Sequence, residues 1–374
     1  MLLSPLASRK ALWLLITFLL MSQSSEIAVR GNDPADTLDN TTPALSGAAR
    51  EALAAGTADA TRRAYSSDWS EFTAWCATHG RTPLPASPET IVEYVAALTT
   101  TPRPRTGRPY SPSSIERAIA AVRTAHSAAN IPPPSTKGAR IILRGYRDRL
   151  ARAKDPAAKT RKAQPAVPTA LRAMLDTLDR DTLMGKRDAA LLLLGFATAA
   201  RVSELVALDL GDVPETDNGI EASVYRRKVK SFSDTAVPFG SNPSTCPVRA
   251  VRALREALAE ADRTEGPLFV RVDRHGRIAP PMHRHGVLIG DNSGRLTAQA
   301  AAQVVERAAE AAGLEGQWSG HSLRRGFATA ARRAGHDLVR IGRHGGWVDG
   351  SKALLGYFED SDKWEDNPVA GTGL

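Results

Sequence analysis

The 374-residue sequence is poor in sulfur: its two cysteines, Cys76 and Cys246, stand 170 positions apart. So few thiols, so widely spaced, make neither a disulfide framework nor a cysteine metal site, and they suit a reducing compartment, the cytoplasm. Other metal ligands are as sparse. His283 and His285 are two apart with no third ligand at helical spacing, which reads as a loop. Glycine-rich phosphate cradles and carboxylate triads of nuclease type are missing. The residues thus call for no metal and no cofactor. One apolar run, Ala11 to Met21 behind Arg9-Lys10, imitates a signal segment, but its eleven residues fall short of the ~20 that span a bilayer. No small-x-small cleavage site follows it, so neither a membrane partner nor export is expected. Residues 22–47 are polar and aperiodic. The expectation for 1–47 is a leader and disordered arm, with Met21 as an alternative start.

What the chain does have is positive charge. Lys and Arg total 49 against 40 Asp and Glu, a net +9 with a pI near 9.8, which favours a polyanionic partner. The excess is concentrated: residues 101 to 164 hold 15 basic and 3 acidic side chains. Residues 359 to 366 reverse the sign, with Glu359, Asp360, Asp362, Glu365 and Asp366 against Lys363.

Apolar spacing divides the chain. Tyr65, Trp69, Phe72 and Cys76 draw one helical stripe. Ser87-Pro88 and Ser111-Pro112 offer N-caps with proline at the first helical position, opening helices that carry Ile91, Val95 and Leu98, then Ile115, Ile119 and Val122. A fourth helix is expected at 138–152, with Ile142, Tyr146 and Leu150 inward. These four make an all-α domain over 48–152. The proline- and cation-rich 153–168 reads as an extended linker. A second domain, 169–374, opens with Thr169 as N-cap and continues through helices at 189–197, 202–208, 247–261, 297–312 and 321–334. Strands are expected at 220–230 and 235–239 around a loop at 231–234, with Lys230 near the tip. Another short hairpin is expected from Leu268 to beyond Gly276. A short helix leads to Gly345-Gly346-Trp347, and a last one carries Tyr357. The fold class is mainly α with small β-hairpins. No internal repeat is present.

Three stretches carry chemistry. Arg201 opens Arg-Val-Ser-Glu-Leu, with Leu208 and Asp212 following. His321-Ser-Leu-Arg324 places a histidine and an arginine one helical turn apart, on one face. Gly346-Trp347 precedes Tyr357 by ten residues, and Tyr225 is the only other tyrosine of the second domain. Over residues 48 to 374 this set resembles the tyrosine recombinases, the phage-integrase family of DNA breaking and joining enzymes. The Thr61-Arg-Arg-Ala-Tyr65 run with Trp69, Phe72 and Trp75 resembles that family's first helix. The resemblance implies a four-helix, SAM-like core-binding domain ahead of the catalytic domain. Gly346-Trp347 departs from the commoner Gly-His pattern, though some members carry Trp there. His344 is the rival for that place, and Lys228 is the rival to Lys230, which precedes Val237-Pro238 by seven.

Cutting a phosphodiester in this way needs a nucleophile, cations for the transition-state oxygens and an acid for the leaving oxygen. The resemblance assigns Arg201 and Arg324 to the oxygens, where a guanidinium donates two parallel hydrogen bonds and keeps its charge. Glu204, three residues on, would buttress Arg201. Lys230 would protonate the 5′ oxygen, His321 would take or hold the tyrosine proton, and the Trp347 indole N–H would donate to a phosphate oxygen. Tyr357 would attack to give a 3′-phosphotyrosine, which stores the bond energy for rejoining. Double-stranded DNA is the expected partner, with Arg62, Arg63, Arg103, Arg105, Arg108, Arg117 and Arg123 as candidate backbone contacts. The resemblance further implies a homotetramer in the synaptic complex and leaves room for an accessory directionality factor. Two other readings fit parts of the pattern: a type IB topoisomerase-like nicking-closing enzyme, and a non-catalytic DNA-binding protein. The latter would lack at least one catalytic residue type, and none is lacking.

Overall fold

The computed structural model describes residues 59–103, 106–159, 161–289 and 291–365, with Val369 and Thr372. The expected leader and arm, Arg105 and, in the acidic tail, Asp366 lie outside them. The chain divides into two compact units, Met1–Thr160 and Arg161–Leu374. Among the described residues both are mainly helical, and no helix is long and apolar enough to cross a membrane.

The first unit holds α1 (Asp59–Thr78), α2 (Pro88–Thr100), α3 (Pro112–Ala128) and α4 (Lys137–Arg152). Ser87 and Ser111 cap α2 and α3, each accepting a backbone N–H three residues on, with proline next in the chain. Trp69, Phe72 and Cys76 are buried, and the Phe72 ring meets Tyr94 at 5.0 Å. On α4 the inward set is Ala139, Leu143, Tyr146 and Leu150; Ile142 is only half-buried. His126 is wholly buried and structural: its Nε2 accepts from the Ala86 N–H at 2.9 Å, and its Nδ1 pairs with the Val122 carbonyl at 2.8 Å.

The second unit is built around α6 (Leu183–Ala197), whose residues 187–195 are all buried. It packs against α8 (Pro247–Glu260) and α10 (His321–Arg333). Three sequence expectations need correcting here. Helix α5 (Pro168–Asp176) is entered from Val167 with Pro168 leading, so Thr169 lies inside it and is not the cap. Helix α6 starts six residues early, capped by Thr182, because Arg187 and Asp188 neutralise each other at 2.6 Å and enter the core as a pair. The short α7 (Val202–Leu205) stops before Leu208.

The main hairpin also turns earlier than the residue types suggest. Strands β1 (Glu215–Thr216), β2 (Gly219–Arg226) and β3 (Ser231–Pro238) form one antiparallel sheet in that order. The turn is therefore 227–230, and the expected loop at 231–234 is strand. A Tyr225–Phe232 cross-strand ring pair, centroids 5.1 Å apart, sits one pair before the turn, next to the last pair Arg226–Ser231, and fixes that register. Lys228 and Lys230 both lie in the turn, not alternating along a strand. Further on, the expected 268–276 hairpin is only isolated bridges, Val270 to Arg295 and Val272 to Ile278. A true hairpin follows instead, β4 (Met282–Arg284) and β5 (Val287–Ile289), with His283 on a strand and His285 in its turn. Then come α9 (Ala298–Ala311), capped by Thr297 as expected, α10, α11 (Leu338–Gly345) and α12 (Lys352–Glu365).

Candidate active site

The site forms where the C-terminal ends of α6 and α11, the N-terminal ends of α7 and α10, and α12 converge. Arg201 precedes α7 and is held by Glu204 twice: its Nη1 donates to Oε1 at 2.6 Å and its backbone N–H to Oε2 at 3.1 Å. Glu204 is 1% exposed. Burial opposes its charge, but the backbone N–H and guanidinium of Arg201, with Arg226 behind, hold its carboxyl below the usual range. It is a fixed anion.

Arg324, one turn into α10, is 2% exposed. Its Nη1 donates to the carbonyls of Ala199 and Gly345, the latter at 2.7 Å. Its guanidinium lies over the Trp347 ring at 3.6 Å from the centroid. Burial and the neighbouring Arg201 depress its pKa to about 9, still cationic at neutral pH. Its Nη2 is buried without a hydrogen-bond partner among the described residues. A buried guanidinium N–H left unmatched costs free energy unless a ligand takes it.

Two adjacent glycines let Trp347 reach that position. Gly346 ends α11 in the left-handed region at φ 65°. At Gly345 a Cβ would fall 1.8 Å from the Trp347 ring. The ring thus folds back under Arg324 and meets the half-buried Tyr357 edge-on, centroids 6.1 Å apart. His344 is directed elsewhere. It stacks on Phe327 at 4.7 Å, and its Nε2 pairs with the Ala197 carbonyl at 2.7 Å.

His321 opens α10 with one side exposed. Loss of water on the other side, with the charges of Arg201 and then Arg324, lowers its pKa against the pull of Glu204. It is neutral at physiological pH and able to accept a proton. His321 and Tyr357 share a cleft of about 720 Å³ with the cations Arg161, Lys162, Arg325 and Lys352. The structure thus brings Arg201, His321, Arg324, Trp347 and Tyr357 together. Lys230 stands in the exposed β2–β3 turn, at φ 53°, outside this buried group. Sequence reasoning missed Arg226. It ends the run Ile220, Ala222, Val224, Arg226, every second residue of β2 and all buried, so a cation on the apolar face of a strand was the available signal.

The seven arginines proposed for the first unit differ in setting. Arg62 and Arg63 lie on α1, half-buried and exposed. Arg108 and Arg123 are exposed. Arg103 covers the Tyr110 ring at 4.5 Å. Arg117, itself exposed, is engaged by buried Asp68 through two hydrogen bonds, 2.7 and 3.0 Å, which offset its charge.

Comparison with known proteins gives consistent matches. The model of the phage integrase family matches residues 168–363, just over half the chain. An integrase/recombinase xerD homolog of Selenomonas ruminantium is 32% identical over 334 residues, covering 87% of this chain and 89% of its own. The recombinase cre of Escherichia phage P1 is 23% identical over 304 residues, covering 78% and 81%. Among solved structures, a lambda integrase dimer bound to a COC′ core site has a TM-score of 0.49 at 14% identity, covering 83% of this chain and 92% of that one.

Proposed function

The chain belongs to the phage integrase family and is a site-specific tyrosine recombinase, and from that premise we propose how its own residues cut and rejoin DNA. Arg201 and Arg324 clamp the non-bridging oxygens of the scissile phosphate. His321, neutral and in the same cleft as Tyr357, takes the phenol proton as the tyrosine oxygen attacks phosphorus. The 3′-phosphotyrosine bond forms as the bond to the 5′ oxygen breaks, and Lys230 delivers a proton to that oxygen. For Lys230 to act, bound DNA must meet the hairpin turn. Rejoining is the same sequence reversed by a different 5′ hydroxyl, so no outside energy source is required. The observation that carries the reading is the buried, unmatched Nη2 of Arg324 beside Arg201: a cationic site built short of one anionic acceptor.

Double-stranded DNA is the substrate. The basic stretch 101–164 and exposed cations such as Arg63, Arg108 and Arg123 contact its backbone, with 48–152 as the core-binding domain and 169–374 as the catalytic one. Four copies act on two sites, with an accessory protein setting direction where required, and the reaction takes place in the cytoplasm. The acidic tail from 359 docks on a neighbouring protomer. Tail truncation with unchanged cleavage and assembly would remove that last element.

Covalent adduct capture from cells expressing the chain, with sequencing of the attached DNA, tests the whole. Adducts at one short, roughly palindromic site are expected. Adducts scattered across unrelated sequences would make it a nicking-closing enzyme of topoisomerase type.

A further inference from the structure

Arg226 closes β2 with its side chain turned inward, 1% exposed. Its Nη2 donates to the Thr198 carbonyl at 3.2 Å and to the His344 carbonyl and Thr235 Oγ1, both at 3.3 Å. Its Nη1 lies 3.5 Å from Glu204 Oε2. Arg324 makes the parallel set one residue along, to Ala199 and Gly345. Successive carbonyls past the end of α6 (198, 199) and at the end of α11 (344, 345) are thus divided between two guanidiniums. The last carbonyls of a helix have no partner within it and carry the negative end of its dipole. Two such ends meet here, and two arginines neutralise both.

We propose that Arg226 is a positioning residue for strand cleavage. It locks the ends of α6 and α11 together and shares Glu204 with Arg201, so that Arg201 and Arg324 stand at the spacing a scissile phosphate requires. The inference rests on the clamp reading above. Arg226 is too deep to touch DNA, so its influence passes through Glu204 and the two helix ends. It contributes charge as well. Three guanidiniums, Arg201, Arg226 and Arg324, surround the single carboxylate of Glu204, an excess of two positive charges. A phosphodiester carries one negative charge, and the five-coordinate transition state carries two. The excess therefore matches the transition state better than the ground state. Gly346 belongs to the same arrangement: a Cβ there would fall 2.8 Å from Arg226 Nε, so bare backbone at 346 lets the guanidinium lie beneath the segment leading to Trp347.

The test uses the full chain, Arg226→Met and Arg226→Lys, on a duplex carrying the site recovered by adduct capture. The scissile phosphate is either ordinary or a methylphosphonate, in which an uncharged methyl replaces one oxygen. Single-turnover adduct formation, DNA affinity and melting are measured together. DNA affinity should stay within about twofold of wild type, since buried Arg226 makes no phosphate contact. Arg226→Met should form adduct about 100-fold more slowly on the ordinary phosphate, as expected for misplaced reacting groups. The deficit should shrink to less than about tenfold on the methylphosphonate, which asks less of the clamp. Arg226→Lys should recover part of the rate, and it carries the comparison if Arg226→Met does not melt cooperatively. Wild-type rates in both variants, or equal deficits on the two DNAs, would overturn the proposal and leave Arg226 as scaffold. A wild-type chain that forms no adduct on the ordinary DNA would instead sink the clamp reading, and this inference with it.

Discussion

His321 and His344 both hold their protons less tightly than an ordinary imidazole, and titration should separate their roles. Burial is the first cause for each. Arg201 and Arg324 add to it at His321; at His344 the Ala197 carbonyl opposes it and Arg226 adds. Because the folded pKa is the lower one, the unfolded chain takes up protons first as pH falls through ~6.5. Stability is thus full above that pH and declines from there toward the folded pKa. Urea unfolding between about pH 5 and 8 should show that slope, and His344→Gln should flatten it without abolishing adduct formation. His321→Gln should instead slow adduct formation about 100-fold or more and erase the acid limb of its pH profile. Arg117 offers a contrast among the surface cations. Its removal strands buried Asp68, so Arg117→Ala should cost on the order of 2 kcal/mol in urea unfolding, whereas Arg123→Ala, exposed on α3, should cost almost nothing. Sequence reading could name both arginines as basic but could not see that Asp68, 49 residues away, had already claimed one.

At the scale of elements, α10 depends on how closely the segment 163–166 lies across it. The Ala166 N–H donates to the Ser322 carbonyl, Arg325 Nη1 to the Ala163 carbonyl, and the Gln164 N–H to the Gln317 carbonyl just before the helix. Gly326 makes this approach possible, since a Cβ there would fall 2.2 Å from the Ala166 carbonyl oxygen. Alanine is the better helix former by about 1 kcal/mol, but backbone cannot yield as a side chain can. Gly326→Ala should therefore be destabilising by roughly 1–3 kcal/mol, measured by urea unfolding, with adduct formation reduced because His321 and Arg324 ride on the same helix. Helices with serine or threonine caps and a clean apolar period, such as α2, α3 and α9, were legible in the sequence. Elements settled by distant partners were not. The early start of α6 depends on a buried Arg187–Asp188 pair, the β2–β3 turn on a Tyr225–Phe232 ring contact, and β4–β5 on pairing between short exposed segments of weak pattern.

Across the whole molecule, two compact units and a strongly basic stretch near their boundary follow from charge and spacing alone. Affinity for DNA should fall steeply with salt, and losing one arginine proposed to contact phosphate, such as Arg108, should reduce the slope of log K against log salt by about 1 without changing the preferred site. Most of the candidate site was also legible, because arginine, histidine and tyrosine sit in recognisable local strings. What the strings could not reveal is the layer behind them. Glu204 joins two arginines, two helix ends are held by Arg226 and Arg324, and the Trp347 ring lies beneath a guanidinium. These contacts span elements far apart in the chain and leave no local period. The central claim is that Tyr357 is the nucleophile. The most direct measurement digests the covalent adduct formed on the recovered site and identifies, by mass spectrometry, the peptide bearing nucleotide. A 3′-phosphate on Tyr357, a free 5′ hydroxyl on the other fragment, and no adduct from Tyr357→Phe are predicted. Nucleotide on another residue, a 5′ linkage, or an adduct that survives Tyr357→Phe would contradict the account.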